Sequence, residues 1–211
     1  MEHKIIYLYD ALCGWCYGFS PVMQRIHQKY AGLIEFEVMS GGMIMGLRAG
    51  PFGEVAPYIK KAYPDVEAAT GIKFGAPFLQ NILEPGTAIF SSEMPGIAMT
   101  AFRKQRPDKV LEFAHILQNA LYADGIELSM ASNYIPLVEP FGLSGADFVQ
   151  ALQLEENRYE TMLEFQTVAN WGVSAFPTVL LKPLNDEQYY MIARGYTSFE
   201  RMVEVIEKFR G

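Results

Sequence analysis

Lys4-Ile5-Ile6-Tyr7-Leu8-Tyr9-Asp10-Ala11-Leu12-Cys13-Gly14-Trp15-Cys16-Tyr17-Gly18-Phe19 is the stretch on which the fold of this chain turns. Its first part, Lys4 to Tyr9, is rich in Ile, Tyr and Leu and alternates poorly, which suits a strand buried on both faces in the middle of a parallel sheet. Asp10 ends that strand. From about Cys13 to Tyr30 the apolar residues Phe19, Val22, Met23, Ile26 and Tyr30 recur at helical spacing, so a helix follows, interrupted at Pro21. The two cysteines therefore fall at a strand-to-helix joint. Leu33 to Ser40 reads as a second strand ended by Gly41-Gly42, completing a βαβ unit.

Further along, between about Gly50 and Trp171, helical patterns dominate, punctuated at Pro57, Pro64, Pro77, Pro95, Pro107, Pro136 and Pro140 among others. The clearest helices are Ile97 to Lys104, Asp108 to Tyr122, and Ala146 to Ala169 with a break near Glu155. Ser144 stands where an N-cap is wanted. The β signal returns at Thr178 to Lys182 and Gln188 to Ala193, a hairpin turning at Pro183 to Asp186, and a helix from Ser198 to Phe209 closes the chain. The order is βαβ, helical block, ββα. The fold class is thus α/β, with residues 1–48 and 172–211 forming one domain and 49–171 an all-helical insertion.

Half of the 211 residues are apolar, enough for a sizeable core, and a formal charge of -7 with a pI near 5.0 excludes a basic face for nucleic acid. No apolar run reaches the length of a membrane span. Met1-Glu2-His3-Lys4 leads straight into the first strand without a secretory leader, which reads as cytoplasmic. There are two cysteines in all, so a framework of structural disulfides is excluded, and their spacing fits redox chemistry or half of a metal site. A zinc site needs two further ligands, and His3, His27 and His115 lack ligand spacing, so the metal reading is the weaker one.

Disulfide exchange needs a thiolate, and an ordinary cysteine thiol, with a pKa of about 8.5, is mostly protonated at neutral pH. A helix N-terminus stabilises the anion through its free N–H groups and its dipole. Cys13 is placed there as the more exposed nucleophile, and Cys16, one turn on and on the same side, as the resolving thiol. The redox group would be the Cys13–Cys16 disulfide itself, with no added cofactor. Gly14 and Trp15 carry no charge, and Asp10 opposes ionisation if its carboxylate points inward, so the expected acidity is lowered but not extreme. Cysteine is also often a small buried hydrophobe; the strand-to-helix joint and the lack of metal partners favour redox.

Tyr9 to Phe19 resembles the active-site segment of the DsbA-like branch of the thioredoxin superfamily, and within it the cytosolic FrnE-related group of predicted protein-disulfide isomerases. Pro21 stands where that superfamily carries a helix-kinking proline, and Val173-Ser174-Ala175-Phe176-Pro177-Thr178-Val179 is similar to its cis-proline segment. The resemblance implies a thioredoxin-like fold with a helical insertion and a cis Phe176-Pro177 bond lying against Cys13. It implies substrate contacts at Gly14, Trp15, Phe176 and Pro177, a backbone edge at Phe176 for an extended segment, and no metal at the thiols. Substrates would be protein or small-molecule disulfides, with glutathione or a thioredoxin-system reductant as recycling partner. Gly14-Trp15 departs from the proline-histidine pair of the strongly oxidising periplasmic relative, so reductase or isomerase behaviour is expected. Two other functions stay open. One is a glutathione-dependent isomerase or transferase like the hydroxychromene carboxylate isomerases, which typically use a serine or one thiol, so that Cys16 argues against it. The other is a redox-inactive peptide-binding chaperone.

Among the lesser signals, Met23, Met39, Met43 and Met45 fit core packing better than an adaptable groove. Trp15 is expected to cover part of the active surface and Trp171 to pack at the insertion boundary. Arg48 and Arg194 suit a carboxylate such as glutathione's, although lone arginines are mostly solvated. His27 and His115 read as packing or surface groups.

Overall fold

In the computed structural model, which describes residues 1–210, strand β1 (His3–Tyr9) leads through the cysteine loop into helix α1 (Gly14–Lys29) and strand β2 (Glu35–Ser40). The chain continues through β3 (Gly50–Pro51), α2 (Ala56–Thr70), a π-type turn at Phe78–Leu83, and β4 (Ile89–Phe90). Helices α3 (Glu93–Gln105), α4 (Val110–Tyr122), α5 (Ile135–Val138), α6 (Gly145–Ala151) and α7 (Glu155–Asn170) follow. Strands β5 (Thr178–Pro183) and β6 (Tyr190–Arg194) and helix α8 (Phe199–Arg210) end it. The main sheet is ordered β2-β1-β5-β6, with β1 parallel to β2 and antiparallel to β5. This is the α/β, thioredoxin-like arrangement expected, with helices inserted between the βαβ and ββα halves.

Because β1 is an inner strand, both of its ladders are occupied and both of its faces are covered. Ile5, Tyr7 and Tyr9 join the large core with α1, while Ile6 and Leu8 meet Met39, Leu180 and Val168 of α7 in a smaller cluster. Covering each such Ile or Leu contributes about 1.5–3 kcal/mol, which explains why the run lacks alternation. The large core does not stop at the sheet. It extends from Ile5 and Phe19 to Phe102, Phe113, Tyr134 and Phe148, where the Phe102 and Phe113 rings stack 4.0 Å apart.

Three local readings change. Helix α1 runs unbroken through Pro21, and α2 through Pro64, where an interruption and a boundary were expected. A proline inside a helix costs about 3 kcal/mol or more; around Pro21 the burial of Phe19, Val22, Met23 and Ile26 offsets it. Pro95 lies in the first turn of α3, where no N–H partner is lost, so that helix begins at Glu93 rather than Ile97. The inserted block also holds a short ladder, since Gly50–Pro51 pairs with Ile89–Phe90. Two-residue strands carry no periodicity that a sequence reading can find.

The loop that carries the cysteines is held by Asp10, which is 1 % exposed. Its carboxylate accepts the Leu12 N–H at 3.0 Å, the Met43 N–H at 2.8 Å and the Ser92 hydroxyl at 2.9 Å. Ser92 Oγ in turn accepts the Ile44 N–H at 3.0 Å. One buried acid thus joins the loop after β1, the loop after β2 and the start of α3. Burial pushes its carboxyl above the usual carboxylate range, and the Met43 and Leu12 N–H groups pull it back.

Asp10→Ala strands these donors in the core and is expected to cost about 3 kcal/mol, measured as a lower urea midpoint at unchanged slope. Folding raises this pKa, so the carboxyl's contribution is fully present below its unfolded value and declines as pH rises through the folded one. The wild-type advantage over Asp10→Ala should therefore be larger at about pH 4 than at about pH 8; an advantage that grows with pH would refute this assignment.

Candidate active site

Cys13 is the N-cap of α1. Its backbone is extended, and its Sγ accepts the Cys16 N–H at 3.2 Å, the place usually taken by a serine or aspartate oxygen. The sulfur therefore faces the free amides of the first turn, as the strand-to-helix reading required. The loop is pinned on its other side too, because the Tyr122 hydroxyl of α4 donates to the Leu12 carbonyl and the Cys13 N–H bonds to the Asp10 carbonyl at 3.1 Å. Asp10 does point inward, but its oxygens are engaged by Leu12, Met43 and Ser92.

From the far end of the sequence, the Phe176-Pro177 bond is cis, and the Cys13 thiol donates to the Phe176 carbonyl at 3.3 Å. Phe176 owes its place to Gly41. A Cβ at Gly41 would fall 2.0 Å from the Phe176 ring, so only glycine leaves room for it. Reading Gly41-Gly42 as a strand terminator missed this. Pro177 itself is buried and lines neither cavity described below; its carbonyl accepts the Gly195 N–H at 2.7 Å. It directly follows Phe176, whose carbonyl meets the Cys13 thiol.

Both sulfurs are free thiols, and both are buried, Cys13 at 5 % exposure and Cys16 at 0 %. Cys13 is the more exposed of the two, as expected, yet it is itself recessed and reached through a cleft. Burial, followed by the contact with Cys13, pushes the Cys16 thiol well above its ordinary value. Cys16 stays protonated at neutral pH.

The cleft over Cys13 holds about 360 Å³ and is bordered by Gly14, Trp15 and Phe176 and by Tyr58, Ile59 and Tyr63 of α2. A second cavity of about 450 Å³ shares Phe176, Ser174 and Met43 with it and is lined by Met45, Arg48 and Gln166. Met43 and Met45 therefore border cavities, whereas Met23 and Met39 are core. Arg194 is exposed and lines neither cavity. Trp171, at the C-cap of α7 where the insertion ends, is 38 % exposed and packs against Tyr189 with ring centroids 5.1 Å apart and planes tilted by 36°. His115 is held between Ser20 Oγ at 2.7 Å and Asn119 Nδ2 at 2.8 Å, and His27 sits edge-on to Phe36. Burial lowers the pKa of both histidines, and neither borders the cleft. The α2 wall was not found from sequence; only folding brings that helix over the loop. Among the described residues no cluster of three His, Cys, Asp or Glu is placed to hold a metal ion, and no helix is long and apolar enough to cross a membrane.

No protein-family profile and no curated protein sequence matches the chain. Solved structures do match it along its whole length. A candidate protein disulfide isomerase from Nitrosomonas europaea superposes with a TM-score of 0.86 at 25% identity, covering 100% of this chain and 98% of the other. The cytosolic disulfide reductase DsbM from Pseudomonas aeruginosa gives 0.82 at 23% identity over 98% of both chains, and its structure with GSH gives 0.80 over 99% and 100%. A 2-hydroxychromene-2-carboxylate isomerase shares the architecture more distantly, with a TM-score of 0.65 at 12% identity over 98% and 94% of the chains. The chain has the DsbA-like thioredoxin fold with its helical insertion.

Iodoacetamide at neutral pH is expected to alkylate Cys13 in the Cys16→Ser variant at least about tenfold faster than Cys16 in the Cys13→Ser variant, followed by mass spectrometry. Equal rates would mean that burial does not distinguish the sulfurs.

Proposed function

We propose that this chain is a thiol–disulfide oxidoreductase of the reductase or isomerase type, with Cys13 as nucleophile and Cys16 as resolving thiol. The observation that carries the reading is the position of the Cys13 sulfur. It caps α1, touches the Phe176 carbonyl and borders a cleft, while Cys16 lies sealed beneath it. Structural neighbours named as a disulfide isomerase and a disulfide reductase support it.

In the reductase direction the Cys13 thiolate attacks one sulfur of the substrate disulfide. That S–S bond breaks, a new one forms to Cys13, and the departing sulfur takes up a proton. Cys16 then gives up its proton and attacks Cys13 Sγ, releasing the second substrate thiol and leaving the Cys13–Cys16 disulfide. The substrate gains two electrons and two protons, which the dithiol loses. The Phe176 carbonyl holds the Cys13 S–H in the free protein; in the mixed disulfide it is released to accept a backbone N–H of an extended substrate. Two molecules of a small thiol restore the dithiol by the reverse exchange. We take that thiol to be glutathione, since DsbM was solved with it, and place the activity in the cytoplasm, as for that neighbour. In the isomerase mode a second substrate thiol displaces Cys13 before Cys16 acts.

Insulin reduction with glutathione and refolding of a scrambled substrate should be catalysed by wild type and fall to background in Cys13→Ser. Cys16→Ser should instead accumulate a mixed disulfide at Cys13. Full activity in both variants, or suppression of aggregation without any reduction, would sink the redox reading in favour of a chaperone. Full turnover in Cys16→Ser alone would favour a one-thiol isomerase.

A further inference from the structure

We infer that the cleft selects disulfides whose reacting sulfur carries an apolar group, and that α2 is the wall that reads that group. The inference rests on the redox reading above and names its substrate class.

Cys13 borders this cleft and not the second cavity. No charged residue among the described residues lines it. Its α2 wall is Tyr58, Ile59, Ala62, Tyr63 and Val66, and Trp15 belongs to the same lining. Those positions recur at helical spacing, so they form one stripe of α2, with Lys60, Lys61 and Asp65 exposed elsewhere on the helix. Within α2 only Ala56 and Val66 are buried. Ile59 and Tyr63 are half-buried, packed on the core at one edge while bordering the cleft, and Tyr58 stays 71 % exposed at its rim. The Tyr122 hydroxyl is already spent on the Leu12 carbonyl. A volume of about 360 Å³ lies in the range of small-molecule sites, roughly 300–1,000 Å³.

Those walls treat two kinds of substrate differently. An apolar side chain beside the cystine sulfur leaves water for carbon contacts when Cys13 attacks. A carboxylate in the same place loses hydration and finds no cation in the lining. An anionic thiol must therefore lie outside this cleft, on the side of the second cavity, where Arg48 stands.

The test uses mixed disulfides with thionitrobenzoate, whose release is coloured. One pair is a cysteine peptide flanked by Phe and Leu against the same peptide flanked by Asp and Glu. The other pair is phenylethanethiol against mercaptopropionate. Cys13 attacks the peptide or small-thiol sulfur, thionitrobenzoate leaves, and Cys16 resolves the adduct. Reduced wild type should favour the apolar member at least about tenfold, equal to about 1.4 kcal/mol in the barrier. Ala62→Glu should bring that ratio to one or below, while Lys60→Glu, outside the lining, should leave it unchanged. Reading a ratio cancels any general loss of activity, and circular dichroism checks folding. Discrimination in the peptide pair alone assigns a polypeptide substrate; in the small pair alone, a low-molecular-weight one. A wild-type ratio near one, or a ratio that survives Ala62→Glu, overturns this inference and leaves the redox reading standing. No release from any probe overturns both.

Discussion

A carboxylate without water is an expensive thing to build a loop around, and the cysteine loop is built around Asp10. Its oxygens are acceptable in the core only because Leu12, Met43 and Ser92 aim donors at them from separate segments. The reverse dependence is what matters for function. Those segments are the cysteine loop, the turn after β2 and the entry to α3, and the shared acid holds them in register. With Leu12 so placed, Cys13 arrives at the first turn of α1 in the extended conformation an N-cap needs. Met43, placed by the same acid, stands where the two cavities meet.

The two sulfurs differ because of what surrounds them, not because of their spacing. Cys16 has one turn of helix and the core around it, and burial, with the contact to Cys13 next, keeps its proton on. Cys13 has a helix amide on one side and the Phe176 carbonyl on the other. The amide serves the sulfur in either protonation state. The carbonyl accepts from the Cys13 S–H, so the two sulfurs differ in their partners as well as in their burial.

The sequence showed much of the fold. A run such as Lys4–Tyr9 can satisfy its apolar faces only inside a sheet, and the helical spacing after Cys13 leaves few alternatives. Helix ends and breaks were less legible. Pro21 and Pro64 are local breakers that α1 and α2 override, and packing, which decides such contests, is not visible along the chain. Gly41 shows the same limit in the site. Its lack of a side chain fits a strand end as well as a ring from a distant loop, and only the Phe176 ring 2.0 Å from a notional Cβ tells the two apart.

Cys13-Gly14-Trp15-Cys16, at a strand-to-helix joint, by itself determined which chemistry is available and which sulfur faces the helix amides. Those are consequences of covalent neighbours within one turn. The tertiary structure decided the rest. Phe176 lies 163 residues from Cys13, and the α2 wall comes from a helix that the sequence showed only as part of a helical block punctuated by prolines. Covalent adjacency orients groups over a few residues, while a cleft is a property of surfaces that meet only when the core closes. The recessed position of Cys13, its carbonyl partner and the uncharged lining above it therefore belong to the fold.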